Sequence, residues 1–366
     1  VFFDNTNGTM NFIDAILTLC EVWAEARADG VKTPQISAML NMYAYNETAI
    51  QIKELYDRIY SKGLYQDLWF YWEGKPLLLG YPEEVKRLEN GKEIYDFFSY
   101  RPINPSYNEN QELIKQSDVS NRITFAPPAG FRKYTQWKWI SVYPQEKMYL
   151  KGTDQVEEMC VCVAQNWSDK QGLTPMNAGD MVFGRGYTNE FGVNTSDEAV
   201  MAGLNIAEQW EYVLEVDPTF VYITGWNEWQ VGRTTDMWGY PNALPDNATD
   251  GYSRDIEPTK GALQDHYYYQ LVNFVRQYKG ARPIPTPTAK ATIDLGGNAS
   301  QWDAVGPYYA AYIGNTDDRE GKGWGDLSYH EYSGRNDIIG APDPLNAYVP
   351  IVFTLEKSTC VSPLQL

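Results

Sequence analysis

Short apolar runs alternate with amphipathic stretches over residues 1 to about 280. The segments 1–4, 35–41, 76–80, 96–101, 139–143, 159–165 and 220–226 have the length and apolar density of β-strands. Helical spacing marks the stretches between them. Apolar residues recur along 12–28, and 47–62 opens acidic and ends basic, as the helix dipole favours. The stretch 196–215 opens Ser-Asp-Glu, an N-terminal helix signature, and 264–279 follows the last strand.

Seven strands, each followed by a crossover, predict a parallel α/β sheet covered by helices. An open doubly wound sheet fits this alternation too. A (β/α)8 TIM-like barrel fits better. The unit repeats over nearly 280 residues, no Gly-x-Gly-x-x-Gly turn follows an early strand, and the polar, aromatic-rich peptides fall just after strand ends. A closed barrel has eight strands, so its first strand is expected to precede Val1. On that reading 1–4 is the second strand and 220–226 the eighth.

Composition then shifts. Residues 281–291 form a Pro/Thr-rich linker, and 292–366 are Gly-, Asp- and Tyr-rich with short strand-like pieces. This C-terminal part reads as a partial β-sandwich accessory domain beside the 1–280 barrel.

The net charge of −18 argues against nucleic acid as a partner, because such binding rests on Lys and Arg replacing counterions. No apolar run is long enough for a membrane-spanning helix. The four cysteines (Cys20, Cys160, Cys162, Cys360) have no metal or redox spacing and read as small buried hydrophobes. His266 and His330 lack ligand or triad spacing and read as structural. Six Asn-x-Ser/Thr sequons, beginning at Asn7, Asn46, Asn166, Asn194, Asn247 and Asn298, would matter in a glycosylating host. They could equally be chance in an Asn-rich chain, and the protein is separately expected to be secreted, periplasmic or at the cell surface. The sequence leaves oligomeric state open.

The chain holds 28 Tyr, 12 Trp and 13 Phe, enough to serve both a core and a stacking surface. In a barrel, the residues at C-terminal strand ends face the site. Here they are Asp4 and Asn5, Tyr43, Arg101, Gln165-Asn166-Trp167, and Trp226-Asn227-Glu228-Trp229. Amides and aromatics dominate, a lining suited to a polysaccharide or glycan: amides bond hydroxyls and rings stack on sugars. Asp4 and Glu228 are the two carboxylates directly at strand ends, and glycosidic cleavage uses two. With the missing strand between them, their backbones would lie roughly 10 Å apart. Each also has a structural reading, Glu228 as a helix cap and Asp4 as a cap on the following turn. Asp255 and Glu257, in the long segment 230–260, are further candidate catalytic acids, and Arg233 a candidate substrate contact. No cofactor is expected. Asp246, Asp250 and Asp255 could hold a structural calcium, although their spacing is not that of an established calcium loop.

The peptide Phe220-Val-Tyr-Ile-Thr-Gly-Trp-Asn-Glu-Trp-Gln-Val-Gly-Arg233, followed by Ser253-Arg-Asp-Ile-Glu-Pro258, resembles the strand-8 region of glycoside hydrolases related to families 71 and 99. Asp4 in Phe2-Phe3-Asp4-Asn5 resembles their strand-2 end, and Gly74-Lys75-Pro76 their turn into strand 4. The resemblance implies a (β/α)8 barrel acting on glycans; family 99 members are endo-acting on α-mannosides. In that family a second Glu, three residues after the first, is the acid/base, and here that position is Val231. The mannosidase activity is therefore not carried over. The segment Ile293-Asp-Leu-Gly-Gly-Asn-Ala-Ser-Gln-Trp302 resembles the opening of family 9-type carbohydrate-binding sandwiches. The expected function is endo-acting hydrolysis of glycosidic bonds. The alternatives are a non-catalytic glycan-binding protein that keeps the groove and, third, a glycosyltransferase-associated or structural surface protein.

Overall fold

A computed structural model describes residues 1–6, 12–40, 45–104, 133–228, 233–281, 288, 291–294, 296–303 and 305. Backbone contacts divide the chain into two units, Val1–Gly280 and Ala281–Leu366.

The first unit is built from parallel strands joined by helical crossovers. Strand β1 (Phe2–Asn5) pairs with β2 (Ser37–Leu40), which pairs with β4 (Lys75–Leu79), which pairs with β5 (Ser99–Tyr100). β3 (Tyr71–Trp72) adds to β4 antiparallel. Its turn carries positive φ at both Glu73 (51°) and Gly74 (78°), as a two-residue hairpin of this hand requires. After β5 the strand resumes as β6 (Ile103–Asn104), parallel to β7 (Trp137–Lys138). β8 (Met148–Tyr149) lies antiparallel to β9 (Val156–Cys162), and β9 is parallel to β12 (Phe220–Thr224). The small hairpin β10 (Trp167–Ser168) and β11 (Gly172–Leu173) lies between them in sequence. The molecule thus mixes helices with parallel sheet, and the ladders do not close into a barrel among the described residues.

Side-chain parity explains why these strands are apolar throughout: both faces are covered. Phe220 and Tyr222 share one cluster with Met39, Leu77, Leu79, Ile103, Trp137, Cys160 and Phe2, so every parallel strand from β1 to β12 except the short β5 contributes. Phe220 stacks on Trp137 at 4.5 Å, and Phe2 meets Tyr222 at 5.1 Å. The opposite faces pack on helices. Ala38, Leu40 and Leu78 meet α1 (Phe12–Ala28) and α2 (Tyr45–Leu55), while Met159, Val161, Val221 and Ile223 meet the later helices.

α1 spans the residues its periodicity predicts. The stretch 47–62 becomes α2 followed by a π-helical turn, Tyr56–Tyr60. A short helix, α3 (Gly91–Phe97), precedes β5. The stretch 196–215 is two helices, α4 (Asp197–Ala202) and α5 (Leu204–Val216). Ser196 caps the first by accepting the Ala199 N–H at 3.2 Å. Gly203 ends it at φ +59°, where a Cβ would meet the Gln270 side chain at 2.3 Å. The last helix is α6 (His266–Lys279).

One strand expectation is corrected. The fifth strand is Trp137–Lys138 rather than 139–143. The apolar run 139–143 instead packs as irregular chain, with Ile140 and Val142 against Phe183 and Tyr187. Lys138 is fully buried, which a strand permits here because its ammonium pairs with Glu146.

No described helix is long and apolar enough to cross a membrane. In the second unit, a 3-10 turn at Ala299–Trp302 is capped by Asn298, which accepts the Ser300 N–H at 2.9 Å. Most of the expected sandwich at 292–366 lies outside the described residues.

Candidate functional site around Glu228

β12 ends at Thr224, and Gly225 turns the chain at φ +85°. A Cβ at Gly225 would lie 2.0 Å from the Arg254 carbonyl oxygen, so only glycine permits the approach. That closeness lets residues 254–257 run beside the strand end. Ile256 N–H donates to Gly225 O (3.1 Å) and Glu257 N–H to Trp226 O (2.9 Å).

The peptide of Glu228 is then held from both sides. Its N–H donates to Asp255 Oδ1 at 2.6 Å, and its carbonyl accepts from Asn247 Nδ2 at 2.7 Å. The same amide reaches Asp255 Oδ2 at 3.0 Å, and Ser253 Oγ–H fixes the amide by donating to Asn247 Oδ1. Asn247 and Ser253 also pair across the hairpin β15 (Asn247–Thr249) and β16 (Tyr252–Ser253). A second hairpin, β13 (Thr234–Met237) and β14 (Tyr240–Ala243), precedes it.

Behind the Glu228 carboxyl sits a buried guanidinium. Arg254 Nη2 lies 3.0 Å from Glu228 Oε2 and 2.7 Å from Asp246 Oδ1. Its plane approaches the Trp139 ring at 5.8 Å. Asp246 also accepts from Asn166 Nδ2. Arg254 is 4% exposed, whereas the Glu228 side chain is 40% exposed. Burial pushes the Glu228 carboxyl up to about 7; Arg254 pulls it down, and Asp246, Asp4 and Asp255 push it up. The group is a carboxylic acid facing solvent that keeps its proton close to neutral pH. Asp255 is raised as well, by burial first, with the Glu228 N–H and Asn247 opposing.

The other predicted site residues divide by environment. Asp4 stands exposed at the end of β1, its Oδ1 accepting the Thr6 N–H at 2.8 Å, and its charge reaches Glu228. Trp226 (45% exposed) and Asn227 flank Glu228 at the surface, and Glu257 is half-buried on the adjoining segment. Asp255 is buried, with both oxygens engaged as above, so its role in this geometry is to hold the Glu228 peptide. Asn166 supports Asp246. Gln165 is buried in an amide network with Asn205 (2.8 Å), and Asn5 is buried at the end of β1. Trp167 covers Gly172 within its small hairpin. Arg101 is enclosed in a bidentate pair with Glu157 (2.8 and 2.7 Å) and a contact to Glu73 (3.0 Å), so its donors serve the protein interior. Arg233 is exposed. Tyr43 and Trp229, with Val231, lie outside the described residues.

The three acids considered for calcium are dispersed over separate tasks. Asp246 binds Arg254, Asp255 binds Asn247, and Asp250 accepts the Ala262 N–H. No group of three or more potential ligands is placed to hold a metal among the described residues. Cys20, Cys160 and Cys162 are buried free thiols. A cleft of 710 Å³ lined by Asp197, Thr249, Asp250, Tyr252 and Leu263 opens beside the β15–β16 hairpin and does not include Glu228.

Trp139 and Ser253 were not legible as site residues, and Asn247 stood out only as a sequon. Its amide is fully used inside the site, and Asn166 is buried. No protein-family model, curated protein or solved structure matches the chain.

Proposed function

We propose that this protein is a glycoside hydrolase cleaving O-glycosidic bonds within a polysaccharide or complex glycan, with Glu228 as its proton donor. The observation that carries the reading is the Glu228 carboxyl itself. It stands at the C-terminal end of a parallel strand, its peptide clamped by Asp255 and Asn247, its acid group held protonated near neutrality and open to solvent beside Trp226. A side chain of that kind can protonate a leaving-group oxygen.

In the reaction envisaged, Glu228 gives its proton to the glycosidic oxygen as the bond from that oxygen to the anomeric carbon breaks. Asp4 supplies the second carboxylate. As base it takes the proton of a water whose hydroxyl ends on the anomeric carbon. As nucleophile it forms a glycosyl ester that water, deprotonated by the Glu228 carboxylate, then hydrolyses to free Asp4 and the sugar. Glu228 is then an anion beside Arg254, which stabilises it. Asp4 is the preferred partner because it is solvent-exposed and its charge acts on Glu228.

The fold that goes with this reading is a (β/α)8-type barrel. It is supported by parallel pairings that follow chain order, β1 to β2 to β4 to β5 and β6 to β7, and by the cluster that draws side chains from β1, β2, β4, β6, β7, β9 and β12. The test is incubation with mannan, xylan, β-glucan and α-glucan, with product analysis, for the parent and for Glu228→Gln. New reducing ends from the parent, and about 10²–10⁴-fold fewer from the variant, are expected. A parent that binds but cleaves none of them points to a glycan-binding protein instead.

A further inference from the structure

Helix α6 carries two kinds of tyrosine. Tyr267, Leu271, Phe274 and Tyr278 recur at spacings of four, three and four residues and pack into the core. The hydroxyls of Tyr267 and Tyr278 end on the carbonyls of Val200 and Pro218. Tyr268 and Tyr269 fall about 100° and about 200° away from that stripe. They are 40% and 59% exposed, and core packing gives no reason for aromatic residues there.

They do not stand alone. Tyr268 meets the ring of Trp226 at 6.2 Å and 71°, and Tyr269 meets Tyr268 at 5.6 Å and 68°. Trp226 is also exposed, and it lies two residues before Glu228. The contact of Trp226 with Tyr268 brings the first turn of α6 against the peptide that follows β12. Trp226, Tyr268 and Tyr269 are thus three exposed rings in consecutive edge-to-face contact. Isolated surface aromatics need no explanation, but a contiguous patch does.

We infer that Trp226, Tyr268 and Tyr269 form an aromatic surface that contacts successive sugar rings of an uncharged polysaccharide, each ring offering its own face, making this a chain-length-selective site. The inference rests on the glycan reading above and adds the substrate's class: a long, neutral chain. The chemistry selects that occupant. Indole and phenol rings offer flat apolar faces with a polar edge, matching the C–H face and hydroxyl rim of a sugar. Nucleobases stack on such rings too, but a net charge of −18 repels their phosphates.

The test uses the full chain with mannan, xylan, β-glucan and α-glucan as probes, each as polymer and as its short oligosaccharides. The parent is expected to cleave one polymer with kcat/KM on the order of tenfold above its trimer, the size of effect two aromatic contacts provide. The double variant Tyr268→Ala/Tyr269→Ala should erase that preference, so that polymer is cleaved with the efficiency of the trimer, at an unaltered melting temperature. Electrophoretic retardation in gels containing each polymer, measured on Glu228→Gln and on the double variant, separates binding from cleavage. Cleavage by the parent with an unchanged length preference in the double variant overturns the aromatic surface and leaves the hydrolase reading standing. Retardation that disappears in the double variant, without cleavage by the parent, supports the aromatic surface and refutes the hydrolase. Absence of both cleavage and retardation with every probe overturns the aromatic surface as well.

Discussion

Two glutamates in this molecule each face an arginine near tryptophans, and they end up as opposites. Glu157, in β9, receives Nε and Nη2 of Arg101 and the indole N–H groups of Trp72 (2.9 Å) and Trp137 (2.8 Å). Burial alone would raise its carboxyl, but these four donors outweigh it and hold the group below the ordinary carboxylate range. Glu228 receives one nitrogen of Arg254, and that nitrogen is shared with Asp246. Burial first, and then the charge of three acids, raise the group to about 7 against the pull of Arg254. An arginine beside a carboxylate therefore does not by itself decide between a structural ion and an acid for chemistry. What decides is whether the donors reaching the oxygens, and the company the arginine keeps, outweigh burial.

The largest effect expected from breaking this contrast is on turnover. Glu228→Gln should lower glycan cleavage by about 10²–10⁴-fold while leaving polymer binding intact, read by reducing-end assay and gel retardation. Arg101→Met should instead leave a carboxylate buried without its cation, at a cost of about 3–5 kcal/mol in denaturant unfolding. Asn247→Ala removes the donors that hold the Glu228 carbonyl and Asp255. It should cost about 1–3 kcal/mol and lower turnover without changing the acid's identity.

The smallest effect is the sharpest in sign. Glu228 is raised in the folded state, so between about 4.5 and about 7 the folded protein holds a proton that the unfolded chain has lost. Stability from this group therefore falls as pH rises through that window, and Glu228→Gln should flatten the fall. Glu157 is lowered, so its contribution is present above the unfolded pKa and is lost as pH falls through the folded one. Urea titrations across pH should show the two slopes with opposite sign.

Much of the scaffold was legible because it is local. Runs such as Phe220–Thr224 and the apolar end of Val156–Cys162 are apolar on both faces, which marks buried parallel strands, and α1 keeps its stripe from end to end. The break at Gly203 could have been read from the glycine after Val200-Met-Ala. The fifth strand was misplaced because Lys138 looks like a surface residue until Glu146 is brought to it. Glu157 and Glu158 are likewise charged residues inside a buried strand. Glu228 was a candidate from its aromatic neighbours, and its place just after a strand was legible. Its clamp was not, because Asp255 lies 27 residues away and Asn247 19, and only the fold pairs them with the Glu228 peptide. Arg101 showed the converse. A strand-end arginine suggested a substrate contact, and a partner 56 residues away encloses it.

The contrast between the two glutamates is tested most directly by carbon-detected NMR titration of their side-chain carboxyls, with Glu228→Gln identifying the Glu228 signal. A midpoint of about 7 is expected for Glu228 and one below 4.5 for Glu157. A Glu228 midpoint at or below 4.5 would mean that Arg254 binds it as a permanent anion, and the proton-donor assignment would be wrong.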